Sequence, residues 1–179
     1  EWVTGDDIQH RLPMMRFTDA LGGTFNPLDG LVDPNSVVQG YMKAAQRSGI
    51  KAYSSCEVTG LHQDSAGISS VVTTQGEIES RVVVNAAGPW AGRIGDLLGI
   101  NIPITPIRRQ LLTTTPIPEL PLDFPFVIDF AQSLYFHREG SGILTGMSKE
   151  NEKPGFDQNV DPEVELENLQ AAIETMPIL

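Results

Sequence analysis

The chain has 179 residues, of which 40% are hydrophobic and 20% charged, a composition typical of a single globular domain. Its net charge of -11, with Lys and Arg scattered singly, argues against nucleic-acid binding. The apolar runs are far shorter than the ~20 residues of a membrane helix, and no secretory leader is recognisable, so we expect no membrane association.

The single cysteine, Cys56, excludes an internal disulfide framework and favours a reducing compartment, so we expect a cytoplasmic protein. The three histidines and the cysteine do not have the spacing of metal ligands, and we predict no metal site. The chain begins with Glu1 and ends on apolar residues. We therefore expect both ends to continue into a longer protein.

In chain order, residues 1–21 show no clear periodicity and predict a poorly ordered lead-in, followed by a short strand at residues 22–25. The first helix is predicted to start at Asp33, an N-cap residue, with Pro34 in the first turn. Gly49 is predicted to end it. Its apolar residues recur at helical spacing and form one face: Val37, Val38, Tyr41, Met42 and Ala45.

Short β-branched segments follow at 51–61, 68–74 and 78–85, separated by turn residues at 64–67 and 75–76. They predict a small antiparallel meander. Its last segment, Val82–Val84, is apolar on both faces, which favours a strand buried in a sheet.

A second helix is predicted to begin near Trp90 and to end at Gly99. Further strands are predicted at 104–115, 126–130, 134–137 and 142–147, and a third helix after Asp161 and Pro162. Strands and helices do not alternate regularly, so the fold class is α+β, an antiparallel sheet flanked by helices.

Three local patterns are candidates for function, although each has a structural explanation. Gly88 lies between an apolar strand and a helix, where a glycine permits a close approach of backbone or phosphate but more often serves packing. Arg108 and Gln110 alternate onto one face of a predicted strand, where Arg108 has the geometry to bind a carboxylate. Tyr135 lies on another strand and offers a hydroxyl. The glycines 140, 142 and 146 do not match a dinucleotide motif and indicate a hairpin.

Together these pieces resemble the D-amino-acid-oxidase-like family of FAD-dependent oxidoreductases, near sarcosine oxidase β subunits, glycine oxidases and dimethylglycine dehydrogenases. The resemblance lies in the order of six segments over about two thirds of the chain: GGTFNPLDGLVDP, 44–49, 57–61, 82–90, 106–110 and 135–146. No single segment is decisive, and their colinear order carries the resemblance.

The resemblance implies FAD as the cofactor and a small amine or amino acid as the substrate, whose C–H next to nitrogen delivers a hydride to the flavin. It assigns residues 22–100 to part of a FAD-binding α/β domain and residues 101–179 to part of a substrate domain. It implies that the cofactor is contacted by Val58, Ala87, Gly88 and Trp90. Tyr135, with Arg108 or Gln110, would lie on the substrate side, and catalytic residues cannot be assigned.

In that family a glycine-rich βαβ unit would precede Glu1, and a C-terminal segment would supply a second flavin contact. The resemblance therefore implies that this chain alone retains no FAD, is inactive, and self-associates through uncovered apolar faces. Two alternatives stay open. One is a flavin-dependent hydroxy-acid or glycerol-phosphate dehydrogenase, and the other is a non-catalytic binding module on the same scaffold.

Overall fold

The computed structural model describes residues 1–148 and 151–179, which form two compact units. The first unit contains Glu1–Leu31 and Ile107–Leu179, and the second contains Val32–Pro106. The division differs from the predicted one at its start, because the structure joins residues 1–31 to the C-terminal part of the chain.

The first unit begins with regular structure where a poorly ordered lead-in was expected. Strand β1 (Trp2–Thr4) pairs antiparallel with β2 (Gly22–Thr24), and helix α1 (Gly5–Arg11) lies between them. A capping box explains the helix, because Asp7 N donates to Thr4 Oγ1 at 3.2 Å and Thr4 N donates to Asp7 Oδ2 at 2.9 Å. Met15 then packs into the core, 1% exposed, so tertiary contact orders a segment that lacks periodicity.

A four-stranded antiparallel sheet forms the centre of the first unit, with strand order β6-β9-β8-β7. The strands are β6 (Leu111–Thr113), β7 (Val127–Asp129), β8 (Leu134–Glu139) and β9 (Gly142–Met147). Helix α4 (Pro162–Thr175) is capped by Asp161, as predicted, and contacts β6, β8 and β9. The core is apolar, and its members are Leu12, Met15, Leu120, Phe124, Leu134, Phe136, Ile143, Ala172 and Met176.

The second unit contains helix α2 (Pro34–Arg47), a three-stranded antiparallel meander, a 3-10 turn at Gly88–Trp90 and helix α3 (Ala91–Asp96). The meander strands are β3 (Val58–Asp64), β4 (Gly67–Thr73) and β5 (Gly76–Glu79). The predicted ends of α2 are confirmed: Ser36 N donates to the Asp33 carboxylate at 2.6 Å, and Gly49 has a φ of +80°. The α+β fold class is likewise confirmed.

Three features of the second unit differ from expectation. Residues 51–57 lie outside β3, and Val82–Val84 is not a strand. Val82 and Val84 are 78% and 85% exposed, because no strand among the described residues pairs with them. The apolar residues of α2 are also exposed, with Tyr41 at 76%. An apolar segment becomes a buried strand only where another segment covers it.

Among the described residues, no helix is long and apolar enough to cross a membrane.

Candidate functional site

The four-stranded sheet has one face covered by α4 and the core, and one face that is partly exposed. Strand register decides which side chains share the exposed face, since residues paired across strands point to the same side. Gly146 on the central strand β9 is paired with Leu111 on one side and Tyr135 on the other. We call this surface the open face: Leu111, Ile128, Tyr135, His137, Leu144 and Gly146.

Apolar and aromatic groups surround Tyr135 on the open face. The Phe126 ring centroid lies 5.9 Å from that of Tyr135 and 5.6 Å from that of His137, in tilted arrangements. Phe126, Ile128 and Leu111 are each about half exposed, at 48%, 47% and 52%. This surface therefore offers apolar contact around a single phenol hydroxyl.

Burial raises the pKa of the Tyr135 phenol above its ordinary value, while the positive charge of Arg109 acts in the opposite direction. The hydroxyl is therefore protonated at neutral pH and able to donate a hydrogen bond. Arg109 is exposed, and its guanidinium donates to the carbonyl of its neighbour Arg108 at 3.1 Å. No carboxylate within residues 1–148 and 151–179 lies within 4.0 Å of the Arg109 side chain.

Arg108, one of the predicted substrate-side residues, is bound to carboxylates of the chain itself. Its Nε and Nη2 donate to Glu152 Oε1 at 3.1 and 2.9 Å, and its Nη1 reaches Asp157 Oδ2 at 3.3 Å. Nη1 also donates to the Asn159 carbonyl at 2.5 Å. The Arg108 and Glu152 side chains are only 18% and 12% exposed, so this ion pair is largely removed from water.

Gln110, the second predicted substrate-side residue, lies directly before β6 and holds the start of α4. Its Oε1 accepts from the backbone N–H of Asp161 at 2.7 Å, and Asp161 is the N-cap of the helix. Its buried Nε2 has no hydrogen-bond partner among the described residues. The structure thus places Arg108 and Gln110 against segment 151–161, while Tyr135 lies on the open face.

Sequence reasoning did not select Arg109, the cation that acts on Tyr135. Residues 104–115 are predicted as one strand, but only Leu111–Thr113 forms β6, so alternation along a strand does not place the side chains of residues 108–110. The position of Arg109 relative to Tyr135 depends on the tertiary structure, in which Leu111 and Tyr135 are both paired with Gly146.

Three of the four predicted cofactor residues lie in one turn of the second unit. Gly88 has a φ of +53°, and a Cβ added to it would meet no atom within 4 Å, so the space beside it is open. Asn85 braces this turn: its Nδ2 donates to the Ala91 carbonyl at 3.0 Å, and its Oδ1 accepts from Ala87 N at 3.2 Å. Ala87 N is thus already bonded, and sequence reasoning had not singled out Asn85.

The fourth predicted cofactor residue, Val58, begins strand β3 and is partly buried. It is paired in register with Thr73 on β4. The turn fits a close approach of a ligand to the Gly88 backbone, and α3, with six residues, adds only a short helix beside it.

The whole chain, residues 1–179, matches the family described as DAO, FAD dependent oxidoreductase. The chain therefore belongs to this family of FAD-dependent oxidoreductases, as its sequence resemblance predicted.

The chain is also similar to several individual proteins. The chain is 31% identical over 196 residues to human mitochondrial dimethylglycine dehydrogenase, covering 99% of this chain and 23% of that protein. It is 28% identical over 174 residues to the mouse mitochondrial pyruvate dehydrogenase phosphatase regulatory subunit, covering 95% of this chain and 20% of that protein. The crystal structure of L-proline dehydrogenase from P. horikoshii superposes with a TM-score of 0.88 at 27% identity. That match covers 99% of this chain and 48% of the other, so the chain spans about a fifth to a half of the length of these relatives.

Proposed function

We propose that this chain is part of an FAD-dependent oxidoreductase that oxidises the C–N bond of a small amine or amino acid. The observation that carries the proposal is the open face, where the protonated Tyr135 phenol lies amid apolar side chains and feels the positive charge of Arg109, whose guanidinium has no carboxylate partner among the described residues. A small amino acid has matching chemistry, because its carboxylate accepts hydrogen bonds and its alkyl groups prefer apolar contact. The likeness to dimethylglycine dehydrogenase and L-proline dehydrogenase supports the same substrate class.

In this proposal, the Tyr135 hydroxyl donates a hydrogen bond to the substrate carboxylate. Arg109 supplies a positive charge that attracts the same carboxylate. Phe126 and Ile128 pack against the substrate and exclude water, which strengthens both polar contacts. Arg108 and Gln110 remain predicted substrate-side residues. In the structure they act on segment 151–161, so we propose that they contribute by holding that segment.

FAD, when bound, supplies the hydride acceptor. We propose that the Gly88 turn contacts it through backbone, with Val58, Ala87 and Trp90 as the other predicted contacts. The open space beside Gly88 supports this assignment. All strand pairs among the described residues are antiparallel, so those residues hold no βαβ unit of the kind that binds phosphates through a glycine-rich turn. We therefore propose that the 179-residue chain alone does not retain FAD.

Flavin absorbance tests the cofactor proposal. The chain and the longer protein that we expect to contain it are each mixed with excess FAD, desalted and scanned. We expect a flavin spectrum from the longer protein only. A yellow preparation of the chain alone would contradict the expected loss, and two colourless preparations would contradict the enzyme assignment.

Substrate kinetics test the substrate side. In the flavin-loaded longer protein, Arg109→Gln is expected to raise KM for N-methyl amino acids by roughly tenfold or more, the loss of one charge-assisted hydrogen bond. An N-methyl amine that lacks the carboxylate should show no such rise in KM. An equal effect on both substrates would remove Arg109 from the proposed carboxylate contact.

A second candidate function is a non-catalytic binding module on this scaffold. The observation that favours it is the 28% identity to a protein named as a regulatory subunit. Absence of a glycine-rich βαβ unit from the complete coding sequence, together with absent flavin, would favour this alternative. The other alternative, a hydroxy-acid or glycerol-phosphate dehydrogenase, predicts turnover of substrates without nitrogen in the same assay.

We also propose that the chain self-associates, because apolar side chains on α2 are exposed: Val37, Val38, Tyr41 and Met42. Light scattering should detect species larger than 19.5 kDa. A Val38→Lys variant should reduce them, whereas a monodisperse monomer would contradict the proposal. The cytoplasmic location stays a prediction from the single cysteine.

A further inference from the structure

Gly146 occupies the centre of the open face, on the strand between β6 and β8. It is buried although it has no side chain, because neighbouring side chains cover its backbone. Its two cross-strand partners are Leu111 and Tyr135. A glycine in a strand interior weakens the strand, and it often marks a position where another group approaches the backbone closely.

The group that approaches is the Tyr135 phenol. A Cβ built on Gly146 would overlap the Tyr135 hydroxyl and lie 2.5 Å from Tyr135 Cζ. It would also lie 2.9 Å from Leu111 Cδ2. The tip of the tyrosine therefore rests directly over the glycine backbone, reaching across β9 towards β6.

We infer that Gly146 is a positioning residue of this site: its missing side chain forms the slot that holds the Tyr135 phenol across β9 and sets where the hydroxyl lies. The role for substrate rests on the proposed function, whereas the slot itself is a property of the sheet. A methyl group at position 146 cannot be accommodated by the backbone, because β9 is held by strands on both sides. The phenol must therefore swing away and become hydrated.

The environment of the hydroxyl makes this displacement measurable. Among the residues that the structure describes, the ionisable groups facing Tyr135 are Arg109, before β6, and His137, on β8, while Gly146 on β9 and Ile128 on β7 carry no charge. Burial is the dominant cause of the raised Tyr135 pKa. A phenol that leaves the slot loses this burial, so its pKa should fall.

The experiment is a fluorine NMR titration of the 179-residue chain labelled with 3-fluorotyrosine. The chain has three tyrosines, and the other two, Tyr41 and Tyr53, are 76% and 57% exposed. The Tyr135 resonance is identified by its absence in Tyr135→Phe, and its titration midpoint should lie above the ordinary phenol value. In Gly146→Ala this midpoint should move to lower pH. An unchanged midpoint and chemical shift in a folded Gly146→Ala chain would overturn the inference.

Gly142→Ala is the matched control. Gly142 lies on the same strand, and its Cβ would meet Thr114 Oγ1 at 2.7 Å instead of the tyrosine. If this variant folds, the Tyr135 midpoint should stay in place. A shift as large as that of Gly146→Ala would show that any damage to β9 moves the phenol, and the inference would fail.

A variant that does not fold is also informative. If Gly146→Ala unfolds the chain, the double variant Gly146→Ala/Tyr135→Ala should restore folding, because the ring that blocks the methyl group is gone. A double variant that stays unfolded would overturn the inference. None of these measurements uses flavin or substrate, so they can succeed where the proposed oxidoreductase function fails, and the reverse.

Discussion

Helices α2 and α4 begin with the same kind of N-terminal cap but lie in different environments. Each has 14 residues, starts with Asp-Pro and is capped by the aspartate. Helix α4 buries Val164, Asn168, Ala172 and Thr175 in the first unit, whereas α2 in the second unit buries none of its residues. The comparison teaches that caps and periodicity define a helix, while a covering sheet decides whether its apolar face stabilises the unit.

The largest difference between the units should appear in the free energy of unfolding that is lost when one aromatic residue of each unit is replaced by alanine. Phe136→Ala, at a position 0% exposed, should lower the free energy of unfolding of the first unit by about 3–5 kcal/mol. Tyr41→Ala on α2, at 76% exposure, should change that of the second unit by no more than about 0.5 kcal/mol.

Denaturant unfolding of single-tryptophan variants can separate the two units. Trp2 lies in the first unit and Trp90 in the second, so Trp90→Phe and Trp2→Phe each leave one reporter. Equal losses for Phe136→Ala and Tyr41→Ala would show that the apolar face of α2 stabilises the second unit as strongly as the core stabilises the first, and the contrast between the helices would break down.

A smaller difference is expected between two arginine ion pairs. Arg108→Gln leaves Glu152, 12% exposed, without its guanidinium and should cost about 3 kcal/mol. Arg81→Gln in the second unit removes the pair with Asp64, whose side chains are 62% and 42% exposed, and should cost less than about 1 kcal/mol.

The double variant Arg108→Met/Glu152→Leu should recover most of the loss, since it leaves no unpaired buried charge. Urea unfolding followed by circular dichroism measures all three variants. A cost for Arg108→Gln as small as that for Arg81→Gln would show that segment 151–161 is not held by this arginine.

The loss of stability caused by removing a helix cap should differ between the two units by about 1 kcal/mol. Asp161→Ala removes the acceptor for Glu163 N and should lower the stability of the first unit by about that amount. Asp33→Ala removes the acceptor for Ser36 N, and we expect it to fray α2 without changing the unfolding of the meander. Amide hydrogen exchange along each helix measures both effects. Global destabilisation by Asp33→Ala would mean that α2 stabilises the second unit after all.

The smallest expected effects are pH dependences of opposite direction. The pKa of Tyr135 is raised by burial, so its contribution to stability is present below the ordinary phenol pKa and is lost as pH rises through the folded value. Arg109→Gln should raise that pKa further, because the opposing charge is removed. An unchanged pKa in this variant would show that Arg109 does not act on the phenol.

In the second unit the pKa of Glu77 is lowered, first by the hydrogen bond from Ser70 and then by His62. Its contribution is present above the ordinary carboxyl pKa and is lost as pH falls through the folded value. Stability measured against pH on both sides of neutrality tests this, and Glu77→Gln should reduce the acid dependence of the meander, where Asp64 with its lowered pKa also contributes.

Local chemistry made much of this fold predictable. Asp33 and Asp161 mark the two long helices correctly, and the turn residues at 64–67 and 75–76 separate the meander strands. The prediction of a poorly ordered segment at residues 1–21 is wrong, because Met15 packs in the core against residues distant in the sequence. Val82 and Val84 were expected in a buried strand and are exposed, since apolar character alone does not supply a partner.

The sequence by itself determined the family, the α+β class and the helix caps, because these depend on residues adjacent in the chain. Only the tertiary structure decided the roles of two neighbouring arginines. Arg108 is bound by carboxylates 44 to 49 positions away, whereas Arg109 acts on Tyr135 across the sheet. Strand register and segment packing bring those partners together, and neither can be deduced from residue spacing along the chain.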